Sequence, residues 1–185
     1  MVKEIKCEIP QTTEENYITG FYALNITAED GNRADWHDVW SWGEGVEKPR
    51  TVSVAGITFP STNHILGNYG VIECREHLKS IGFAVSHTEK VYRANYFRAM
   101  LDDVYKGLIE YGVKHKKIIG KTGYMYDFLD NDDQKTEFYT ICKIMLQALD
   151  EEQKPIFKDW VVKEYEYDTS YGDSELDIEI IKDFR

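Results

Sequence analysis

The chain has 185 residues, 42% of them hydrophobic, 30% charged and 14% aromatic, with a formal net charge of −11. That length suits a single domain with a substantial hydrophobic core, the aromatic content is too high for a disordered chain, and the acidic balance disfavours general binding to nucleic-acid phosphates. No apolar run approaches the roughly 20 residues needed to cross a bilayer.

The start, MVKEIKCEIPQTTEEN, is charged every few positions and has no apolar signal-peptide core. Cys7, Cys74 and Cys142 are widely spaced and odd in number, which is neither a disulfide framework nor a paired metal knuckle. A reducing cytoplasm is the expected compartment. Charge is unevenly spread. Residues 61–126 carry ten Lys and Arg against six Asp and Glu (net +4), whereas residues 159–185 carry three against nine (net −6).

The first 60 residues read as antiparallel strands. YITGFYALNITA (17–28) is aromatic and β-branched, and the EDGNRA that follows is turn chemistry. TVSVAGITF (51–59) alternates apolar positions between Pro49 and Pro60. Between them lies ADWHDVWSWGEG (34–45), which holds three of the chain's four tryptophans. If extended, Trp36, Trp40 and Trp42 share one face; if helical, Trp36 and Trp40 align while Trp42 swings away.

From residue 61 the period changes to that of helices. Asn68 is expected to cap GVIECREHLKSIG (70–82), with Val71, Cys74, Leu78 and Ile81 as its apolar stripe and Gly82 as its stop. Ser86 and Glu89 offer a capping box for a long helix carrying Phe97, Met100, Leu101, Val104, Leu108 and Tyr111, closed by Gly112. Asn131 with Gln134 caps a third helix, whose apolar side is Phe138, Ile141, Cys142, Met145 and Leu149. Asp150-Glu151-Glu152 favours a helix entry, and Pro155 suits the first turn of IFKDWVVKEYE. Residues 166–185 form an acidic segment that is either a strand returning to the sheet or a partly ordered tail. The expectation is one α+β domain: strands first, then four helices packed on one sheet face.

Several constellations invite chemistry. IIGKTG (118–123) resembles half of a phosphate loop, but the required first glycine falls at His115, so the segment reads as a basic turn. Lys114, Lys116, Lys117 and Lys121 make it the one place where an anion is welcome. Cys74 and His77 lie within one helical turn, and with His64 upstream they are the weak candidates for a metal site; the spacing matches no finger or ribbon, and Cys74 falls on the apolar stripe. His37 sits between Asp35 and Asp38, an arrangement that fixes an imidazole tautomer and raises its basicity. Together with His64 and Glu44 it forms the candidate catalytic set of a small hydrolase or metal-assisted enzyme. Adjacent acidic and imidazole side chains on turns are usually inert, and no motif calls for a cofactor.

The tryptophans read mainly as core, with an exposed indole among Trp36, Trp40 and Trp42 marking a contact surface. Tyr165, Tyr167 and Tyr171, interleaved with acids, are candidate contact residues of the same kind. The leading expectation is therefore an acidic protein-binding module engaging a basic partner protein. The alternatives are the histidine enzyme and a subunit of a homo-oligomer.

Overall fold

A computed structural model describes residues 9–27, 42, 51–85, 89–119, 122–171 and 176–185. The protein is mixed α/β and mostly helical, and its named strands form a single two-stranded antiparallel sheet among the described residues. It resolves into two compact units. One lies within Met1–Asn63 and Gly67–Asp103, the other within His64–Leu66 and Val104–Arg185.

The first unit is organised around Ile18, which is fully buried. Its backbone bridges Val54 on one side and Arg93 on the other. Ala55 N–H donates to Tyr17 O at 2.9 Å and Thr19 N–H to Ser53 O at 3.0 Å; across from these, Ile18 N–H donates to Tyr92 O at 3.0 Å and Ala94 N–H to Ile18 O at 2.8 Å. Strand β2 (Tyr92–Ala94) pairs in turn with β1 (Val71–Glu73), in the register Val71↔Ala94.

The extended run expected over residues 17–28 is therefore one bridge long. Gly20 turns the chain at φ +57, where a Cβ would meet the Phe59 ring at 3.0 Å, and helix α1 (Gly20–Leu24) follows with Tyr22, Ala23 and Leu24 buried. The strand expected over 51–59 is reduced to isolated bridges at Val54 and Ala55. Gly56, at φ +75, then starts a tight loop back to Phe59.

The helix predicted over 70–82 is also shorter. Residues 71–73 are claimed by pairing with β2, and Cys74 precedes a six-residue helix, Arg75–Ser80. The long helix expected from Ser86 begins instead at Tyr96, because β2 occupies 92–94; the capping box falls partly on residues outside the described ones. Its cap is Asn95, whose side-chain oxygen accepts from Arg98 N–H at 2.9 Å. This helix, Tyr96–Gly107, continues as a π-helical turn, Leu108–Gly112.

The second unit is built on two helices that the sequence also predicts. One spans Asp132–Ala148 and is capped as expected, with Asn131 Oδ1 accepting from Gln134 N–H at 2.9 Å and the Gln134 side chain accepting from Asp130 N–H at 2.8 Å. It buries Phe138, Tyr139, Ile141, Cys142 and Met145. The other runs over Gln153–Tyr171 and buries Ile156, Phe157, Trp160 and Val161. The long 153–171 helix is contacted by the π-helical turn, by a short helix at Tyr124–Phe128, by the 132–148 helix and by a C-terminal 3₁₀ helix, Ile178–Phe184. The expected C-terminal strand or tail is thus replaced. Residues 166–171 extend a helix, and Ile181 and Phe184 are core residues at 0% and 2% exposure.

Candidate functional site

The surface that best fits recognition is assembled in the second unit around one buried carboxylate. On the 153–171 helix, positions 157, 161, 164 and 168 recur at alternating steps of four and three, so Glu164 and Asp168 share the inward face with Phe157 and Val161. Glu164 turns this position to use. Its Oε1 accepts from Gly123 N–H at 2.8 Å and its Oε2 from Met125 N–H at 3.4 Å, gripping the start of the 124–128 helix. Burial pushes the Glu164 carboxyl up to about 7, against the opposing pull of the Gly123, Met125 and Tyr124 amides.

This clamp sets the position of three tyrosines. Gly123 sits at φ +93 beneath Tyr167, where an added Cβ would lie 3.1 Å from the ring, so only glycine allows both the turn and the close approach. Tyr126 meets Tyr167 edge-on, with centroids 6.1 Å apart at 76°, and Tyr171 lies against Tyr167 at 4.8 Å. Tyr126 is 49% and Tyr171 70% exposed. The neighbouring Asp127 and Glu166 are exposed too. The result is a row of phenols in mutual contact beside acids.

Beneath the surface, Lys135 Nζ donates to Asp168 Oδ1 at 2.8 Å, an ion pair almost wholly out of water. Asp168 Oδ2 and the Tyr139 hydroxyl are buried without a hydrogen-bond partner among the described residues. Burial raises both the Tyr139 phenol and the Cys142 thiol well above their ordinary ranges, so neither is ionised near neutral pH.

The first unit holds a second polar cluster, which is closed. Arg98 and Asp102 are completely buried, one helical turn apart. Asp102 accepts from Tyr17 Oη at 2.9 Å, Thr19 Oγ1 at 2.6 Å, Thr62 Oγ1 at 2.5 Å and Arg98 Nε at 3.3 Å. Arg98 also donates to Gly67 O, Tyr69 O and Asn63 Oδ1. Every oxygen and nitrogen of the pair is spoken for, so the cluster ties loop to helix and presents nothing to a ligand.

The residues singled out from sequence fare differently. Trp42 is 3% exposed and wedged edge-on between Tyr22 (5.0 Å) and Phe83 (4.9 Å), which makes it core and corrects its candidacy as a contact residue. Tyr165 is likewise buried, with its hydroxyl donating to Leu176 O at 2.9 Å. Tyr167 and Tyr171 do reach the surface, and Tyr126, which the sequence did not bring forward, joins them. Trp36, Trp40, His37, Asp35, Asp38 and Glu44 lie outside the described residues.

His64 is exposed against Tyr105, whose hydroxyl is 3.4 Å from Nε2. His77 Nε2 is 2.5 Å from Thr27 O, and Cys74 is buried. No group of three His, Cys, Asp or Glu among the described residues is arranged to hold a metal ion. No described helix is long and apolar enough to cross a membrane. Comparison with protein-family models, with curated proteins and with solved structures found no match to this chain.

Proposed function

We propose that this chain is a cytoplasmic protein-binding module whose row of tyrosines, Tyr126, Tyr167 and Tyr171, receives a lysine- or arginine-rich segment of a partner protein. The observation that carries this reading is the contact of Tyr167 with both a 70% exposed Tyr171 and a 49% exposed Tyr126, with Glu164 fixing the base of the row. Exposed, pre-ordered aromatic side chains supply contact area at small entropic cost and are enriched among residues that dominate binding energy. Phenol faces attract cationic side chains. The net charge of −11 steers a basic partner toward the protein from a distance.

The test is capture from a lysate of the source cell with the wild-type chain and with Tyr126→Ala/Tyr171→Ala, each at low and moderate salt, read by mass spectrometry. The proposal expects a Lys- or Arg-rich protein enriched by the wild type over the variant and thinned at higher salt. An identical set of proteins on both baits, or an empty capture, refutes it. So does a wild-type dimer in sedimentation that the double substitution dissociates, because the tyrosines would then be covered by a second copy.

A further inference from the structure

The lysine-rich turn that the sequence marked as hospitable to anions forms one wall of a cleft in the second unit. The π-helical turn ends at Gly112, which packs against the start of the 153–171 helix at Ile156. Four residues further on, Lys116 takes the left-handed conformation at φ +55, the one described non-glycine residue with positive φ. This turn sets Lys116 and Lys117 facing Pro155, Ile156, Asp159 and Lys163 across a cleft of about 470 Å³, a size suited to a small molecule. Lys163 Nζ is 2.6 Å from Asp159 Oδ2, so the one acid among the described residues that line the cleft is already neutralised. Lys116 and Lys117 are exposed and have no carboxylate partner among the described residues.

We infer that this cleft binds a phosphoryl group. Two adjacent ammonium groups, Lys116 and Lys117, facing a Lys163–Asp159 ion pair that adds no net charge, suit a phosphoryl dianion better than a single carboxylate, since each lysine acts as a mobile point charge with three donors. Exposed Pro155 gives the rest of such a ligand an apolar wall. The phosphoryl group arrives either on a soluble molecule or on a lipid headgroup. The proposal is independent of the tyrosine row, because it rests on different side chains and the opposite charge.

The experiment is a titration of the isotope-labelled full chain with pyrophosphate, followed by amide chemical shifts at ionic strength held constant with sodium chloride. Saturable shifts are expected at Lys116, Lys117 and residues 156–163. Lys116→Gly suits the left-handed backbone while removing the cation, so it is expected to keep the thermal midpoint and yet weaken pyrophosphate about tenfold, and Lys117→Gln is expected to weaken it similarly. A parallel arm measures sedimentation with phosphatidylglycerol and phosphatidylcholine vesicles. Saturable pyrophosphate binding without vesicle capture assigns a soluble ligand, and capture by the anionic vesicles that Lys117→Gln abolishes assigns a headgroup. Non-saturating shifts matching those of chloride, or a Lys116→Gly and Lys117→Gln pair with wild-type affinity, overturn the inference.

Discussion

Replacing Glu164 by Gln isolates the clamp beneath the tyrosine row. The Glu164 side chain is 1% exposed and its carboxyl is raised from an ordinary 4.5 to about 7, chiefly by burial. The folded state therefore holds this proton more tightly than the unfolded state. The stability associated with it is fully present below pH 4.5 and is lost as pH rises through 7. At about 1.4 kcal/mol per pH unit, the interval between those two values corresponds to roughly 3 kcal/mol, of which roughly 2 to 3 kcal/mol falls between pH 5 and pH 8.

Glutamine does not titrate. It keeps one oxygen for the Gly123 or Met125 amide and loses the other acceptor, a cost that is constant with pH. Urea unfolding of both proteins at pH 5, 6, 7 and 8 is the assay. The difference in stability between them is expected to shift in favour of the variant by that amount over the range. Burial also raises the Asp102 carboxyl, which adds a slope of the same sign to both proteins and cancels in the difference. Parallel profiles would refute the reasoning, because they would mean that Glu164 ionises in the folded protein as freely as in the unfolded chain.

Two further substitutions probe the two units separately. Arg98→Met leaves the wholly buried Asp102 carboxylate without its cation and is expected to cost about 3–5 kcal/mol in denaturant unfolding, whereas Arg98→Met/Asp102→Leu recovers a large part of that; a loss below about 1 kcal/mol for the single change would mean that the pair is not the tie described. Gly123→Ala places a methyl 3.1 Å from the Tyr167 ring at φ +93 and is expected to destabilise by about 1–2 kcal/mol. It should also disturb the Tyr167 ring signals in NMR spectra; unchanged stability and spectra would remove the glycine from the account.

What the sequence made legible follows from how local each signal is. The 132–148 and 153–171 helices repeat their apolar positions over many turns and carry their own caps, so periodicity and Asn131 suffice to find them. The strands are legible only through partners far away in the chain. Ile18 is extended because Val54 and Arg93 flank it, and nothing in YITGFY announces that the ladder stops after one residue. Val71 to Ile81 fits a helical stripe, yet three of those residues are taken by Ala94, Arg93 and Tyr92.

The same contrast governs the polar clusters. Arg98 and Asp102 stand four apart on a helix that is buried without a break from Arg98 to Val104, and that spacing within an apolar run was the available signal for an internal ion pair. Glu164 was hidden by its composition, since an acid in an acidic segment reads as solvated. Its registry with Phe157 and Val161 falls within IFKDWVVKEYE, but the Gly123 and Met125 amides it holds lie 41 and 39 residues away in the chain. Tyr165 and Tyr167 differ by two positions on that helix and so by more than half a turn, which is why one is core and the other surface.

The most direct test of the central claim is the dissociation constant of the captured partner for the wild-type chain and for Tyr126→Ala/Tyr171→Ala, measured by calorimetric titration at two salt concentrations. Loss of binding-centre aromatics typically costs about 2 kcal/mol or more, so the account predicts at least about a thirtyfold weaker complex for the variant, with wild-type binding that weakens as salt is raised. Equal affinities for the two proteins would contradict it, because the exposed tyrosines would then be bystanders on a surface that recognises nothing.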